Sequence, residues 1–181
     1  MKKTVSIMLL FLLLCGTLMG CGQQETSLVT KKHFPDFLAT DMDGNPVDNT
    51  IFEQYDATIV NFWYTGCGSC VAEMPDLEEL SHTYVQRNIG LIGICTDACN
   101  SEKDLEFAKR ILAEKGVTYP NLVPDPESEF YKDFVAEIFS YPSSFVVDSE
   151  GNLIGASFHD VPNQLPLLEE RLEMAINSTS E

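Results

Sequence analysis

Basic residues are scarce in this sequence. Its 11 Lys and Arg stand against 28 Asp and Glu, a formal net charge of −17 at pH 7. A phosphate backbone needs a basic surface, so the imbalance excludes a nucleic-acid partner. It also argues against a domain lying flat on anionic lipid. The excess acid serves solubility or complements a basic partner surface. Histidine is scarcer still: His33, His82 and His159 lie far apart with no metal-ligand spacing, and no metal is expected. Internal repeats and low-complexity blocks are missing. So is an apolar run of the ~20 residues that a spanning helix needs. What remains is 181 residues, 44% hydrophobic and 22% charged, which suits one globular domain with a sizeable core.

The N-terminus reads as an address. Met1-Lys2-Lys3 is a short positive region and Ile7–Leu14 a compact apolar one, so residues 1–20 are expected to be a cleaved signal peptide. Leu18-Met19-Gly20-Cys21 resembles the bacterial lipoprotein signal box, which implies that Cys21 is lipidated and becomes the mature N-terminus. The alternative is a secretory signal cleaved elsewhere, leaving Cys21 a spare thiol. Lipid would attach the protein to a membrane without spanning it. Residues 21–32 then form a polar tether and 33–181 the folded domain. Cys15 and two positive charges are lost with the signal. Either reading is extracytoplasmic, where disulfides persist.

Along the mature chain, Asp43-Gly44-Asn45 marks a hairpin within Leu38–Val47. Thr58–Trp63 is β-branched and aromatic and predicts a buried strand. Cys70–Gln86 turns helical, with Leu77, Leu80, Tyr84 and Val85 at three- and four-residue steps. Ile89–Cys95 is a second apolar strand. A helix starts at Ser101 and ends at about Gly116. Tyr119–Pro126 is extended or loop, and Glu127–Phe139 is expected to be helical. Ser144–Val147 and Asn152–Phe158 flank the turn Asp148–Gly151. A last helix covers about Gln164–Ile176. The β–α–β start demands a parallel pair and the late hairpin an antiparallel one, hence an α/β fold with a mixed sheet flanked by helices.

Cys67-Gly68-Ser69-Cys70 follows a predicted strand and opens a predicted helix. Two cysteines three apart at a helix start can close a small disulfide ring. The first thiol lies by unpaired helix N–H groups, which favour an anion, and the thiolate is the reactive form. Cys67 is therefore the nucleophile. Cys70, one turn in, resolves the mixed disulfide. Half of a zinc site is the alternative, but no second C-x-x-C supplies the other ligands.

The segment Phe62-Trp63-Tyr64-Thr65-Gly66-Cys67-Gly68-Ser69-Cys70-Val71-Ala72-Glu73-Met74-Pro75 resembles the active-site segment of the TlpA/ResA family of thioredoxin-like, membrane-attached disulfide oxidoreductases. The similarity extends from Phe34-Pro35-Asp36-Phe37 through Asp43-Gly44 to Tyr141–Asp148 and Gly151. It implies a thioredoxin-like sheet with an N-terminal β-hairpin extension. It implies that Glu73 moves protons during exchange, the alternative being a solvated first-turn acid. Pro142 matches a cis-proline, although a lone X-Pro bond is ordinarily trans. Tyr141 would offer its backbone to an extended substrate, and Trp63 would also belong to the substrate site. No cofactor is implied beyond the redox-active disulfide. The implied partners are proteins with disulfides and a membrane electron donor, as in cytochrome c maturation or repair of oxidised extracytoplasmic proteins. A monomer is expected. Gly66 departs from the pattern, which usually has tryptophan before the first cysteine.

Cys95 and Cys99 lie outside that pattern. Cys95 ends the strand expected beside the one leading to Cys67, and parallel strands place both ends on one edge. The pair reads as a structural disulfide, as a second redox pair, or as two thiolates for copper or another soft metal. For the whole protein the resemblance implies a reductase. Its alternatives are a thioredoxin-fold copper carrier using Cys95 and Cys99, or a peroxiredoxin-like peroxidase, for which Thr65 sits one residue too close to Cys67.

Overall fold

The structure, a computed structural model, describes residues 29–178. The residues read as a signal peptide, Cys21 and the first part of the expected tether lie outside them. The strands are β1 (Val29–His33), β2 (Leu38–Asp41), β3 (Pro46–Asp48), β4 (Ala57–Trp63), β5 (Ile89–Cys95), β6 (Asn121–Pro124), β7 (Ser143–Asp148) and β8 (Asn152–Ile154). The helices are α1 (Gly68–Tyr84), α2 (Glu102–Lys115) and α3 (Leu165–Ser178). One sheet runs in the order β1-β8-β7-β4-β5-β6-β2-β3. Its centre, β4-β5-β6, is parallel, and the flanking pairs are antiparallel. The mixed sheet and the early hairpin β2–β3 are thus as the sequence predicts.

β4 and β5 are buried along their whole lengths, which is why they read as continuous apolar runs. Strand alternation sorts their side chains. Ala57 and Ile59 share one face with Ile89 and Leu91, packed by Leu77 of α1 and Leu168 and Leu172 of α3. Trp63 and Cys95 continue that face against Met74 of α1 and Ala108 of α2. Val60, Phe62, Ile92 and Ile94 face the other way, onto Phe34, Phe37, Phe52 and Phe130.

Three elements differ from the sequence reading. Val29–Lys32 are not tether: β1 pairs antiparallel with β8, Val29 opposite Ile154 and His33 opposite Asn152. Glu127–Phe139 is not one helix but a π turn at Phe130–Phe134 followed by a 3-10 turn at Val135–Glu137. The wider turn sets Phe130 and Phe134 in a stack, 5.8 Å between centroids, with both rings against Phe34, so tertiary packing overrides helical period. The strand after Gly151 stops at Ile154, where Gly155 takes φ +75°. Phe158 rejoins the sheet by a bridge to Ser144.

Phe34 holds the N-terminal extension to the sheet. It is 2% exposed and meets the rings of Phe37, Phe52, Phe62, Phe130 and Phe134 at 5.3–6.4 Å. Phe34→Ala is expected to lower the unfolding free energy by about 3–5 kcal/mol, read as a lower urea midpoint at unchanged slope. An effect below about 1 kcal/mol would mean that the extension contributes little to the core.

Candidate active site

The parallel register β4–β5 ends with Trp63 opposite Cys95, so both strands deliver their following loops to one edge of the sheet. After Trp63 the chain makes a tight turn, with the Cys67 N–H donating to the Tyr64 carbonyl at 3.0 Å. Helix α1 begins at Gly68, and Cys67 is its N-cap. Its sulfur accepts from the Cys70 N–H at 3.2 Å, and the Ser69 hydroxyl lies 3.4 Å away. The two cysteines are joined in a disulfide, Cα–Cα 5.3 Å. Cys67 is 5% exposed and Cys70 1%, so an incoming sulfur meets Cys67 first. Once reduced, a Cys67 thiolate at this N-cap keeps a backbone N–H donor and the positive end of the helix.

One helical turn past Cys70, on the same helical face, lies Glu73. It is 6% exposed. Burial, with some help from Asp160 and Asp76, pushes its carboxyl up to about 7, against the hydrogen bond from Asn61. Asn61 donates from Nδ2 to Glu73 Oε1 and to Ser144 Oγ, each at 3.0 Å. The side chain borders an open cleft of about 310 Å³ with Ser69, Asp76, Pro142 and Asp160. It is therefore no solvated surface acid. A carboxyl poised near neutrality can give or take a proton.

The Tyr141–Pro142 bond is cis, and Pro142 shares that cleft. Tyr141 is half-buried and meets the Tyr64 ring edge-on, 5.1 Å between centroids. Gly66 accounts for the position of Tyr64: a Cβ there would press on its Cε2 at 3.2 Å. The missing tryptophan is thus matched by a tyrosine lying over the glycine.

Trp63 needs a correction. It is 0% exposed, with its Nε1 donating to Asn121 Oδ1 at 2.9 Å. With no surface it cannot touch a docked protein, and it supports the site from below instead. Gly93 makes room for this bond, since a Cβ there would collide with Asn121 Oδ1.

Cys95 and Cys99 are both free thiols. Cys95 is fully buried and donates to Asp97 Oδ1 at 3.3 Å, and Cys99 donates to the Thr96 carbonyl at 3.5 Å. Burial pushes both thiols up, and the charge of Asp97 adds to it at each. Among the described residues no three His, Cys, Asp or Glu side chains group as a metal site. Of the histidines, His159 does sit at the site: its Nδ1 lies 2.6 Å from the Pro142 carbonyl. That oxygen can only accept, so Nδ1 carries the proton in this contact.

Three residues at the site escaped the sequence reading. Asn61 left a trace, a polar residue inside an otherwise apolar strand. Asp97 stood between two cysteines without a role. His159 left no local signal, because its partner is seventeen residues away.

The raised carboxyl has a consequence for stability. A buried Glu73 binds its proton more tightly in the folded chain than in the unfolded one, whose value is near 4.5. Between those values only the unfolded state has lost the proton, so its contribution to stability falls from about pH 4.5 to about pH 7 and then stays level. Glu73→Gln is expected to remove that fall, measured as urea midpoints against pH relative to the parent protein. An identical pH dependence in both proteins would mean that Glu73 ionises freely.

Comparison with known proteins agrees with this geometry. The redoxin family profile matches residues 29–172. The thiol-disulfide oxidoreductase ResA of Bacillus thuringiensis subsp. konkukian (strain 97-27) is 26% identical over 81% of this chain and 82% of its own. The sporulation thiol-disulfide oxidoreductase A of Bacillus subtilis (strain 168) is 23% identical, over 84% of this chain and 87% of its own. Among solved structures, the thioredoxin domain of a thiol-disulfide oxidoreductase from Bacteroides vulgatus superposes with a TM-score of 0.64 at 24% identity, over 81% of this chain and 99% of that one. A thioredoxin-family thiol:disulfide interchange protein from Chlorobium tepidum TLS gives 0.62 at 26% identity, over 81% and 97%. With the profile spanning most of its length and a disulfide at the start of the helix after β4, the chain belongs to the redoxin family, as a thioredoxin-like thiol–disulfide oxidoreductase of the TlpA/ResA type.

Proposed function

We propose that the protein is a lipid-anchored, extracytoplasmic reductase of disulfides in secreted or membrane proteins. The observation that carries the reading is the Cys67–Cys70 pair at the N-terminus of α1, one helical turn before a buried carboxyl poised near neutrality. In the reduced protein the Cys67 thiolate attacks one sulfur of a substrate disulfide. A Cys67–substrate bond forms as the substrate bond breaks, and the departing sulfur takes up a proton from solvent. Cys70 then gives its proton to the Glu73 carboxylate and attacks the Cys67 sulfur. The mixed disulfide breaks, Cys67–Cys70 closes, and the second substrate sulfur leaves as a thiol with the proton that Glu73 held. Two electrons have passed to the substrate. A membrane-held dithiol donor returns two electrons and two protons.

The Tyr141–Pro142 loop beside the cleft is where an extended substrate segment would lie, and His159 steadies it through the Pro142 carbonyl. Cytochrome c maturation and repair of oxidised extracytoplasmic proteins are roles that suit a reductase at this place. The lipid on Cys21 would hold the domain at the membrane outside the cytoplasm. Among the described residues no helix is long and apolar enough to cross a membrane.

The direction of exchange is tested by the potential of Cys67–Cys70 against dithiothreitol. A value near or below about −250 mV supports the reductase, and one nearer −120 mV means an oxidant that installs disulfides. Cys67→Ser is expected to abolish insulin-disulfide reduction, whereas Cys70→Ala accumulates a mixed disulfide on Cys67 that reducing gel conditions release. A Cys70→Ala protein that keeps full turnover would place the resolving thiol elsewhere. For the anchor, Cys21→Ser is expected to move the protein from the membrane pellet to the soluble fraction.

A further inference from the structure

The turn that carries Cys67 is held from the neighbouring strand, by a residue outside the C-x-x-C segment. Asp97 follows the end of β5, in a turn closed by its own carbonyl and the Asn100 N–H at 3.1 Å. Both of its carboxylate oxygens accept from the Thr65 backbone N–H, at 3.0 and 3.1 Å. Oδ2 accepts again from the Thr65 hydroxyl at 2.6 Å, and Oδ1 from the Cys95 thiol at 3.3 Å. Thr96, one residue earlier, adds its N–H at 2.9 Å and its hydroxyl at 3.3 Å to the Trp63 carbonyl. The Tyr131 hydroxyl fixes Thr96 in turn, donating to its carbonyl at 3.1 Å. Two consecutive residues of the β5 loop therefore grip the chain on either side of Tyr64. Thr65 lies two residues before Cys67, inside the turn that sets the cysteine at the head of α1.

We infer that Asp97 is a positioning residue for thiol–disulfide exchange: by clamping Thr65 it fixes the Tyr64–Cys67 turn, so that the Cys67 sulfur stays aimed at the Cys70 N–H and the helix N-terminus. The Cys95 thiol is the clamp's third donor, which gives this buried cysteine a role other than a second redox pair. The inference deepens the oxidoreductase reading and rests on it. Geometry and charge pull in opposite directions here. A loosened turn withdraws the N–H and the helix end from the thiolate, destabilising the dithiol form. Removing a nearby negative charge stabilises the thiolate instead. The sign of the change therefore identifies which effect Asp97 exerts.

The measurement is the equilibrium constant for reduction of the Cys67–Cys70 disulfide by dithiothreitol, together with the titration of Cys67 followed by thiolate absorbance. In Asp97→Ala the constant is expected to fall about tenfold, which is about 30 mV toward the reducing side, and the Cys67 titration to move to higher pH. Asp97→Asn keeps an acceptor for the Thr65 N–H and a polar partner for its hydroxyl, and is expected to stay within about twofold of the parent. Thr65→Val removes only the hydroxyl donor and is expected to lower the constant about threefold, a smaller loss since the backbone N–H remains. It also tests the clamp should Asp97→Ala fail to fold. A constant unchanged in both Asp97→Ala and Thr65→Val overturns the inference. So does a rise shared by Asp97→Ala and Asp97→Asn, which would make Asp97 an electrostatic rather than a positional influence. Failure of the oxidoreductase reading looks different: the parent protein would equilibrate with dithiothreitol yet pass no electrons to a protein disulfide.

Discussion

The parallel pairing of β4 with β5 is the constraint on which the site depends. Seven registered pairs run from Ala57–Ile89 to Trp63–Cys95, and they bring both strand ends to one edge. Parallel strands cannot be joined by a tight turn, so the chain must cross over through a helix. That crossover is α1, and its N-terminus necessarily lies at the edge where β4 ends. The cysteines are thus placed by topology at the position where a helix presents unpaired N–H groups. The same pairing delivers the β5 loop to the same edge. That proximity lets Asp97 reach Thr65 and Thr96 reach the Trp63 carbonyl.

Strand alternation adds a second layer. Asn61 and Trp63 share the helix-facing side of β4, separated by one residue that points away. One meets Glu73 and the other Asn121. Each is a polar contact inside an apolar wall, and each fixes a different part of the site. Asn61 holds the carboxyl one helical turn past Cys70. The Trp63–Asn121 bond holds the floor beneath the turn. The Asn61 bond favours the ionised carboxylate, yet burial outweighs it and holds Glu73 close to neutrality. A carboxyl held between those opposing influences can accept a proton from a thiol and release it again, which a freely solvated acid with its value near 4.5 could do far less well at neutral pH.

What the sequence made legible was local. The apolar runs of β4 and β5, the turn at Asp43-Gly44-Asn45 and the caps of α2 all express themselves within a few residues, and all are found where the pattern predicts them. The C-x-x-C placement was legible for the same reason. The missed features depend on distant partners. β1 has no pattern of its own and exists because β8 offers an edge. The π turn at Phe130–Phe134 exists because the rings of Phe34 and Phe62 receive it on that face of the sheet. Trp63 belongs to the motif, but its complete burial depends on Asn121, fifty-eight residues on. The grip of Asp97 on Thr65 spans thirty-two. No window short enough to show periodicity contains such pairs.

The two cysteine pairs show how position decides reactivity in a single small protein. Both lie at the same sheet edge and both are separated by a few residues. Cys67 sits at the head of a helix, where the Cys70 N–H faces its sulfur and, once the pair is reduced, a thiolate is favoured. Cys95 lies at the end of a buried strand beside a carboxylate, where a negative sulfur would be both desolvated and repelled. Its thiol acts as a hydrogen-bond donor, and donating requires that it keep its proton. Exchange proceeds through the thiolate, so the surroundings that favour it at Cys67 disfavour it at Cys95. Protonation state therefore separates Cys67 from Cys95, although topology brings both to one edge of the sheet.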